Sequence, residues 1–104
     1  MRILFDQGTP APLRHALAEH TVTTAYERGW SNLSNGNLLR AAEAEFDVFI
    51  TTDQNLGYQQ NLAGRRLAIL VLPTTKWPEI SEHTADIAVV VATMTPGEYR
   101  EMAW

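Results

Sequence analysis

A chain of 104 residues, 45% hydrophobic and 19% charged, has the size and balance of one globular domain and excludes a second lobe or a disordered polymer. Eight basic against twelve acidic residues give a formal charge of −4, which argues against the broad basic face of a stand-alone nucleic-acid binder but not against a nuclease whose acidic centre is neutralised by divalent cations. No cysteine is present, so disulfides, thiolate metal sites and thiol nucleophiles are excluded together.

The apolar run Ile3-Leu4-Phe5 ends at Asp6-Gln7-Gly8-Thr9-Pro10. A run apolar on both faces predicts a central parallel strand. Leu13, Ala16 and Leu17 then share one face of a predicted helix, with Pro10 or Pro12 near its first turn. His20–Tyr26 is β-branched and predicts the second strand, followed by a loop over Arg28–Ser34. Leu38, Leu39, Ala42 and Phe46 mark the clearest helix, capped by Ser34 or Asn35. Val48–Thr52 predicts the third strand, closed by Asp53-Gln54-Asn55. A short helix is expected over Leu56–Leu62, ending at Gly64, and an almost wholly apolar fourth strand over Leu67–Leu72. Beyond Trp77-Pro78, the residues Ile80, Thr84, Ile87, Val91 and Met94 fit a helix face, while Val89-Val90-Val91 leaves a strand open. Thr95–Glu98 reads as a turn or capping box, and the last seven residues as a short helix or an edge strand.

Strands alternating with helices predict an α/β fold: a three-layer sandwich on a mainly parallel, doubly wound sheet of four to five strands, spanning residues 1–104 as a single domain. The expected strand order is 2-1-3-4, and ligands in such sheets bind beyond the carboxyl ends of the strands where the order reverses. Asp6 and Asp53 end those two strands. Adjacent strands lie about 4.8 Å apart, so both carboxylates can converge on one site. There they can hold Mg²⁺ or Mn²⁺, which prefer oxygen ligands, or share a proton if no metal binds. Taken singly, each aspartate is better read as an Asx turn or a helix cap; their joint placement at the reversal is what favours a site.

Neighbouring polar residues extend the candidate site. Asn35 and Asn37 begin the long helix, where unpaired amide groups favour an anion. Gln7 follows Asp6, while Thr51, Thr52 and Asn55 flank Asp53. Gln7, Asn37, Thr52 and Asn55 are the candidate substrate contacts, although each also suits a cap or turn. His15, His20 and His83 do not form a metal-binding pattern. Trp30, Trp77 and Trp104 are expected to pack before they stack on bases. Arg65-Arg66 reads as a solvated pair before a buried strand, and Tyr58–Asn61, just past Asp53, as a short amphipathic helix placed to line the site mouth. No phosphate-loop, dinucleotide or hydrolase-elbow motif occurs.

The residues also resemble a known family. Met1-Arg2-Ile3-Leu4-Phe5-Asp6-Gln7, Gly29-Trp30, Asn35-Gly36-Asn37-Leu38-Leu39-Arg40-Ala41-Ala42 and Val48-Phe49-Ile50-Thr51-Thr52-Asp53-Gln54-Asn55-Leu56 follow in order. Together they resemble the small bacterial DUF5615 PIN-like proteins, related to the Mut7-C and VapC-type PIN domains. The resemblance runs from residue 1 to about residue 72, and Thr-x-Asp at a strand end is its most specific piece. It implies a PIN-like α/β/α sandwich and a Mg²⁺- or Mn²⁺-dependent nuclease site acting on RNA. Asp6 and Asp53 match the first and last acids of the family's metal centre. Asn35 stands where an aspartate is usual, and Asn37 where a glutamate often appears. A further glutamate typical of active members has no counterpart, since Glu43 and Glu45 lie at the wrong end of their helix for it. The resemblance therefore implies Asp6, Asp53 and Asn35 as the catalytic set, with Asp6 and Asp53 as the metal ligands. Relatives are often toxins encoded beside small antitoxins, and many dimerise, so an antitoxin-like protein and a homodimer are the implied partners.

Three readings compete: a metal-dependent endoribonuclease with a depleted acidic site, a weak or inactive module of the same fold that binds RNA or a partner protein, and a phospho-acceptor domain using Lys76. The last lacks an acidic neighbour to Asp6, where Gln7 stands. No apolar run approaches the roughly 20 residues of a membrane span, and the start of the chain is too short in apolar residues for a signal peptide. A cytoplasmic protein without a membrane partner is expected.

Overall fold

The computed structural model describes residues 1–56 and 64–104. Five strands, β1 (Arg2–Phe5), β2 (Thr21–Thr24), β3 (Val48–Thr51), β4 (Ala68–Val71) and β5 (Tyr99–Glu101), form one sheet in the order β2-β1-β3-β4-β5. Every pairing is parallel. The chain places β2 on one side of β1 and β3 on the other, so the order reverses between β1 and β3, as the sequence predicts. The last residues supply an edge strand, which settles the alternative left open for them.

The period-2 alternation of the strands splits the core into two halves. Ile3, Phe5, Val48, Ile50, Ala68 and Leu70 face one way; Leu4, Phe49, Ile69 and Val71 face the other. The first face is covered by a 3₁₀ segment (Ala11–Leu17), and by α2 (Trp77–Ile80) and α3 (Thr84–Thr93), through Leu13, Leu17, Ile80, Ile87 and Val91. The second is covered by α1 (Asn35–Glu45), through Leu38, Leu39 and Ala42. The result is a three-layer α/β sandwich. Each of the buried Val, Leu, Ile and Phe side chains among these contributes about 1.5–3 kcal/mol.

Two elements differ from the periodicity. Residues 11–17 form a 3₁₀ segment, not an α-helix, and Ala16, expected beside Leu13 and Leu17, is exposed. The turn is tight from its start: the Leu13 N–H bonds the Pro10 carbonyl at 3.1 Å, the i→i+3 spacing of a 3₁₀ helix. The segment from Trp77 is helical throughout, including Val89–Val91, but a 3₁₀ turn (Ser81–His83) breaks it in two. β-Branched propensity loses there to the burial of Ile87 and Val91 on one helical face. Thr95–Glu98 is a turn that launches β5; the Glu98 carboxylate accepts the Thr95 N–H at 3.0 Å, as in a capping box, but no helix follows. The helix expected over Leu56–Leu62, with Tyr58–Asn61, lies outside the described residues except for Leu56, which is buried. Among the described residues no helix is long and apolar enough to cross a membrane.

Candidate functional site

Asp6 and Asp53 leave the sheet at adjacent strands, β1 and β3. Thr51, the last residue of β3, joins them. Its hydroxyl donates to Asp6 Oδ2, and its oxygen accepts the Asp53 N–H at 3.1 Å. Thr51 is 1% exposed, so neither bond competes with water.

Asp6 is 7% exposed. Its Oδ1 accepts the Thr9 N–H at 3.0 Å and the Thr9 hydroxyl at 2.6 Å. The Thr9 oxygen also lies 3.0 Å from the Ile50 carbonyl, but its single proton goes to the charged acceptor, which makes the stronger bond. An Asp-x-x-Thr turn therefore folds the β1 loop back over the carboxylate. Thr9 was not among the residues singled out from the sequence; the signal available was this spacing directly after a strand.

Asp53 is half-buried. The Asn35 side-chain amide donates to its Oδ2 at 2.5 Å, and the Asn55 N–H to its Oδ1 at 3.0 Å. Asn35 reaches it because Ser34, not Asn35, caps α1: Ser34 Oγ accepts the Asn37 N–H at 3.3 Å. The Asn35 side chain is thereby released from capping to face β3. An ionised carboxylate has about four acceptor positions. Asp6 fills three with protein donors and Asp53 two, so both keep capacity for a further ligand.

The remaining sequence candidates divide. Gln7 donates to the Ser31 carbonyl at 2.6 Å and pins the Asp6 loop to the loop before α1. Thr52 sits under the same loop; a Cβ built on Gly8 would lie 2.5 Å from its hydroxyl. Asn55 contributes its backbone to Asp53 while staying exposed. Asn37 is not drawn in: it is exposed and its carbonyl accepts from Arg40 at 3.0 Å, one turn further along α1.

Glu43 and Glu45 lie at the opposite end of the sheet, as their place in α1 requires. They line a cleft of about 480 Å³ at the amino ends of the strands, with Arg2, Asp47 and Arg66. Those carboxylates already have partners: Glu43 accepts the Arg66 and Leu67 N–H groups, Asp47 the Arg2 N–H, and Glu45 the Arg28 guanidinium. The Arg28 bond holds the Glu45 carboxyl below its usual range. Lys76 lines a separate shallow groove with Glu79 and Glu82. The tryptophans pack: Trp30 meets Phe46 edge-on with Arg28 over its face, Trp77 lies against the core, and Trp104 stacks on His83. Among the described residues no three His, Cys, Asp or Glu side chains come together closely enough to hold a metal.

No protein-family model, curated protein or solved structure matches the chain.

Proposed function

We propose that this chain is a PIN-like, Mg²⁺- or Mn²⁺-dependent endoribonuclease with a depleted acidic site. One observation carries the reading: at the reversal of a parallel sheet the Thr51 hydroxyl bonds both the Asp6 carboxylate and the Asp53 backbone N–H, and the Asn35 amide bonds the Asp53 carboxylate. Ligands of such sheets bind at that place. The donor chemistry fits a hard divalent cation. Asp6 and Asp53 would hold it through their remaining acceptor positions, and a half-turn of the Asn35 amide would add a neutral oxygen. A bound ion would supply positive charge against a phosphodiester beside these two carboxyl groups, in a chain that is acidic overall at −4. Thr9 and Thr51 fix the Asp6 carboxylate, and Asn55 with Asn35 fixes that of Asp53. Toxin activity, an antitoxin-like partner and a homodimer follow from the family resemblance alone.

The experiment is RNA cleavage with Mn²⁺ by the unaltered protein and by Asp53→Asn. The expected result is metal-dependent cleavage that falls by at least about a hundredfold in the variant, the upper end of what loss of metal-site support costs. Undiminished cleavage in Asp53→Asn would remove the assignment.

A second reading, a non-catalytic module binding RNA or a partner protein, is favoured by a different observation. Asp6 is sealed by three protein donors with 7% of its surface exposed, the pattern of a structural carboxylate. Thermal melting separates the two. Binding of Mn²⁺ to the folded state alone raises Tm in proportion to RT ln(1 + [L]/Kd). No rise at millimolar Mn²⁺ would favour the second reading.

A further inference from the structure

A cleft of about 520 Å³ opens beside Asp6, at the carboxyl ends of the strands. Gln7, Thr24, Tyr26, Thr75 and Trp77 contribute to its walls. Tyr26 follows β2 and Trp77 opens α2, beyond β4, so the two aromatic side chains enter from segments on either side of the Asp6 loop. Trp77 is half-buried against the core, which fixes its ring. Tyr26 is 81% exposed beside a fully buried Ala25. Its backbone is anchored while its ring stands in water, an arrangement that contributes little to folding.

The chemistry of the lining is specific. Among the described residues no lysine or arginine contributes to it, and Asp6 is its one carboxylic side chain, already bonded to Thr9 and Thr51. Two neighbours offer fixed polarity. The bond from Gln7 Nε2 to Ser31 leaves the Gln7 Oε1 as an acceptor. The Thr24 oxygen accepts the Glu27 N–H at 3.1 Å, which leaves its proton to donate. Aromatic faces with a few neutral donors and acceptors suit a nucleobase, not a phosphate. The volume lies within the roughly 300–1,000 Å³ of small-molecule sites, enough for one nucleoside.

We propose that this cleft is a subsite for one unstacked base of single-stranded RNA, flanked by Tyr26 and Trp77 and read by Gln7 and Thr24. The inference rests on the ribonuclease reading for the identity of its ligand. It has a consequence that a backbone-tracking protein would not share. Each phosphate neutralised by a cationic side chain adds about 0.7 to the salt slope of single-strand binding. A site without cations has a slope near zero.

The test measures binding of fluorescein-labelled homotetranucleotides of the four ribonucleotides, in EDTA, by anisotropy across a salt series. At least one should bind, with little salt dependence, and Tyr26→Ala should weaken it by about tenfold, the loss of one stacking partner, while Tyr26→Phe retains it. Because Tyr26 is exposed, neither variant threatens the fold. Wild-type binding by Tyr26→Ala, equal binding of an abasic tetranucleotide, or a steep salt slope would overturn the subsite. So would no oligonucleotide binding at all, including the case where a tryptophan-bearing peptide binds instead. Because EDTA excludes metal-dependent cleavage, failure of the nuclease reading shows separately, as absence of cleavage by the unaltered protein with Mn²⁺.

Discussion

The side-chain amide of Asn35 donates to the Asp53 carboxylate at 2.5 Å, across 18 positions of sequence. A neutral donor stands beside Asp53, where the proposed cation site would gain a third acid. Asn35→Asp should therefore trade stability for metal affinity. Without metal, loss of the hydrogen bond and the new like-charge contact should lower Tm by several degrees, since about 1 kcal/mol shifts a domain of this size by roughly 4–8 °C. With Mn²⁺ the order should reverse, the variant showing the larger thermal rise and a Kd lower by about tenfold in calorimetry. An Mn²⁺ response no greater than that of the unaltered protein would mean that no ion sits between these two residues.

Thr51→Val tests the bridge between the two acids. The substitution keeps shape but leaves a buried acceptor on Asp6 and the Asp53 N–H without their partner. An unsatisfied buried group costs about 1–3 kcal/mol. Urea unfolding should show a loss in that range with an unchanged m-value, and Thr51→Ser should recover most of it. A loss below about 0.5 kcal/mol would show that the hydroxyl does not hold the pair together.

The sheet was legible in the sequence because its signal is local. Ile3-Leu4-Phe5, Val48–Ile50 and Ala68–Val71 are apolar on both faces, which only a strand covered on two sides tolerates. The carboxyl-end positions of Asp6 and Asp53 followed directly. The 3₁₀ segment was less legible, because Leu13 and Leu17 satisfy an α-helical spacing although the first turn closes i→i+3, from the Leu13 N–H to the Pro10 carbonyl. At the site, Asn35 was visible but Thr9 was not: its role depends on the loop returning over Asp6, a tertiary fact. Asn37 illustrates the reverse error, a polar residue near the right helix end whose side chain is taken by Arg40 one turn away. Tyr26 was read as the end of the second strand, which stops at Thr24, and a tyrosine there is ordinary until a cleft is seen beside it.

The edge strand β2 makes a prediction about acid stability. Arg14 donates to the Val22 carbonyl at 3.2 Å and to Glu27 Oε1 at 2.5 Å, and Glu27 accepts the Thr24 N–H at 2.9 Å. This pair occupies edge groups that would otherwise template another strand. The Arg14 guanidinium, and next the Thr24 N–H, lower the Glu27 carboxyl from 4.5 to about 2. Between these values the unfolded chain binds the extra proton, so stability falls as pH falls. The contribution is complete above about pH 4.5 and gone below about pH 2. Glu27→Gln should lower stability at pH 6 and flatten the acid limb of a pH-dependent denaturation series. An acid limb as steep as the unaltered protein's would assign the dependence to other carboxylates. A greater tendency to associate, read by light scattering, should accompany the substitution.

The turn that launches β5 should be the least tolerant backbone site among the described glycines. Gly97 has φ +79°, and a Cβ there would lie 2.6 Å from the Arg65 carbonyl oxygen. Its N–H bonds the Arg66 carbonyl at 2.8 Å, and the next residue presents its carbonyl to Ile69 at 2.8 Å, so displacing Gly97 displaces the first contact of β5 on β4. Gly29 supplies the control: its φ is +74°, but a Cβ there would meet nothing within 4 Å. A left-handed conformation alone costs an L-residue about 1–2 kcal/mol. Gly29→Ala should lose about that much in urea unfolding, and Gly97→Ala distinctly more, the excess measuring the clash with a backbone atom that cannot rotate aside. Equal losses in the two variants would mean that residues 65–66 yield without cost, and that β5 is held by its pairing with β4 and not by the geometry of its turn.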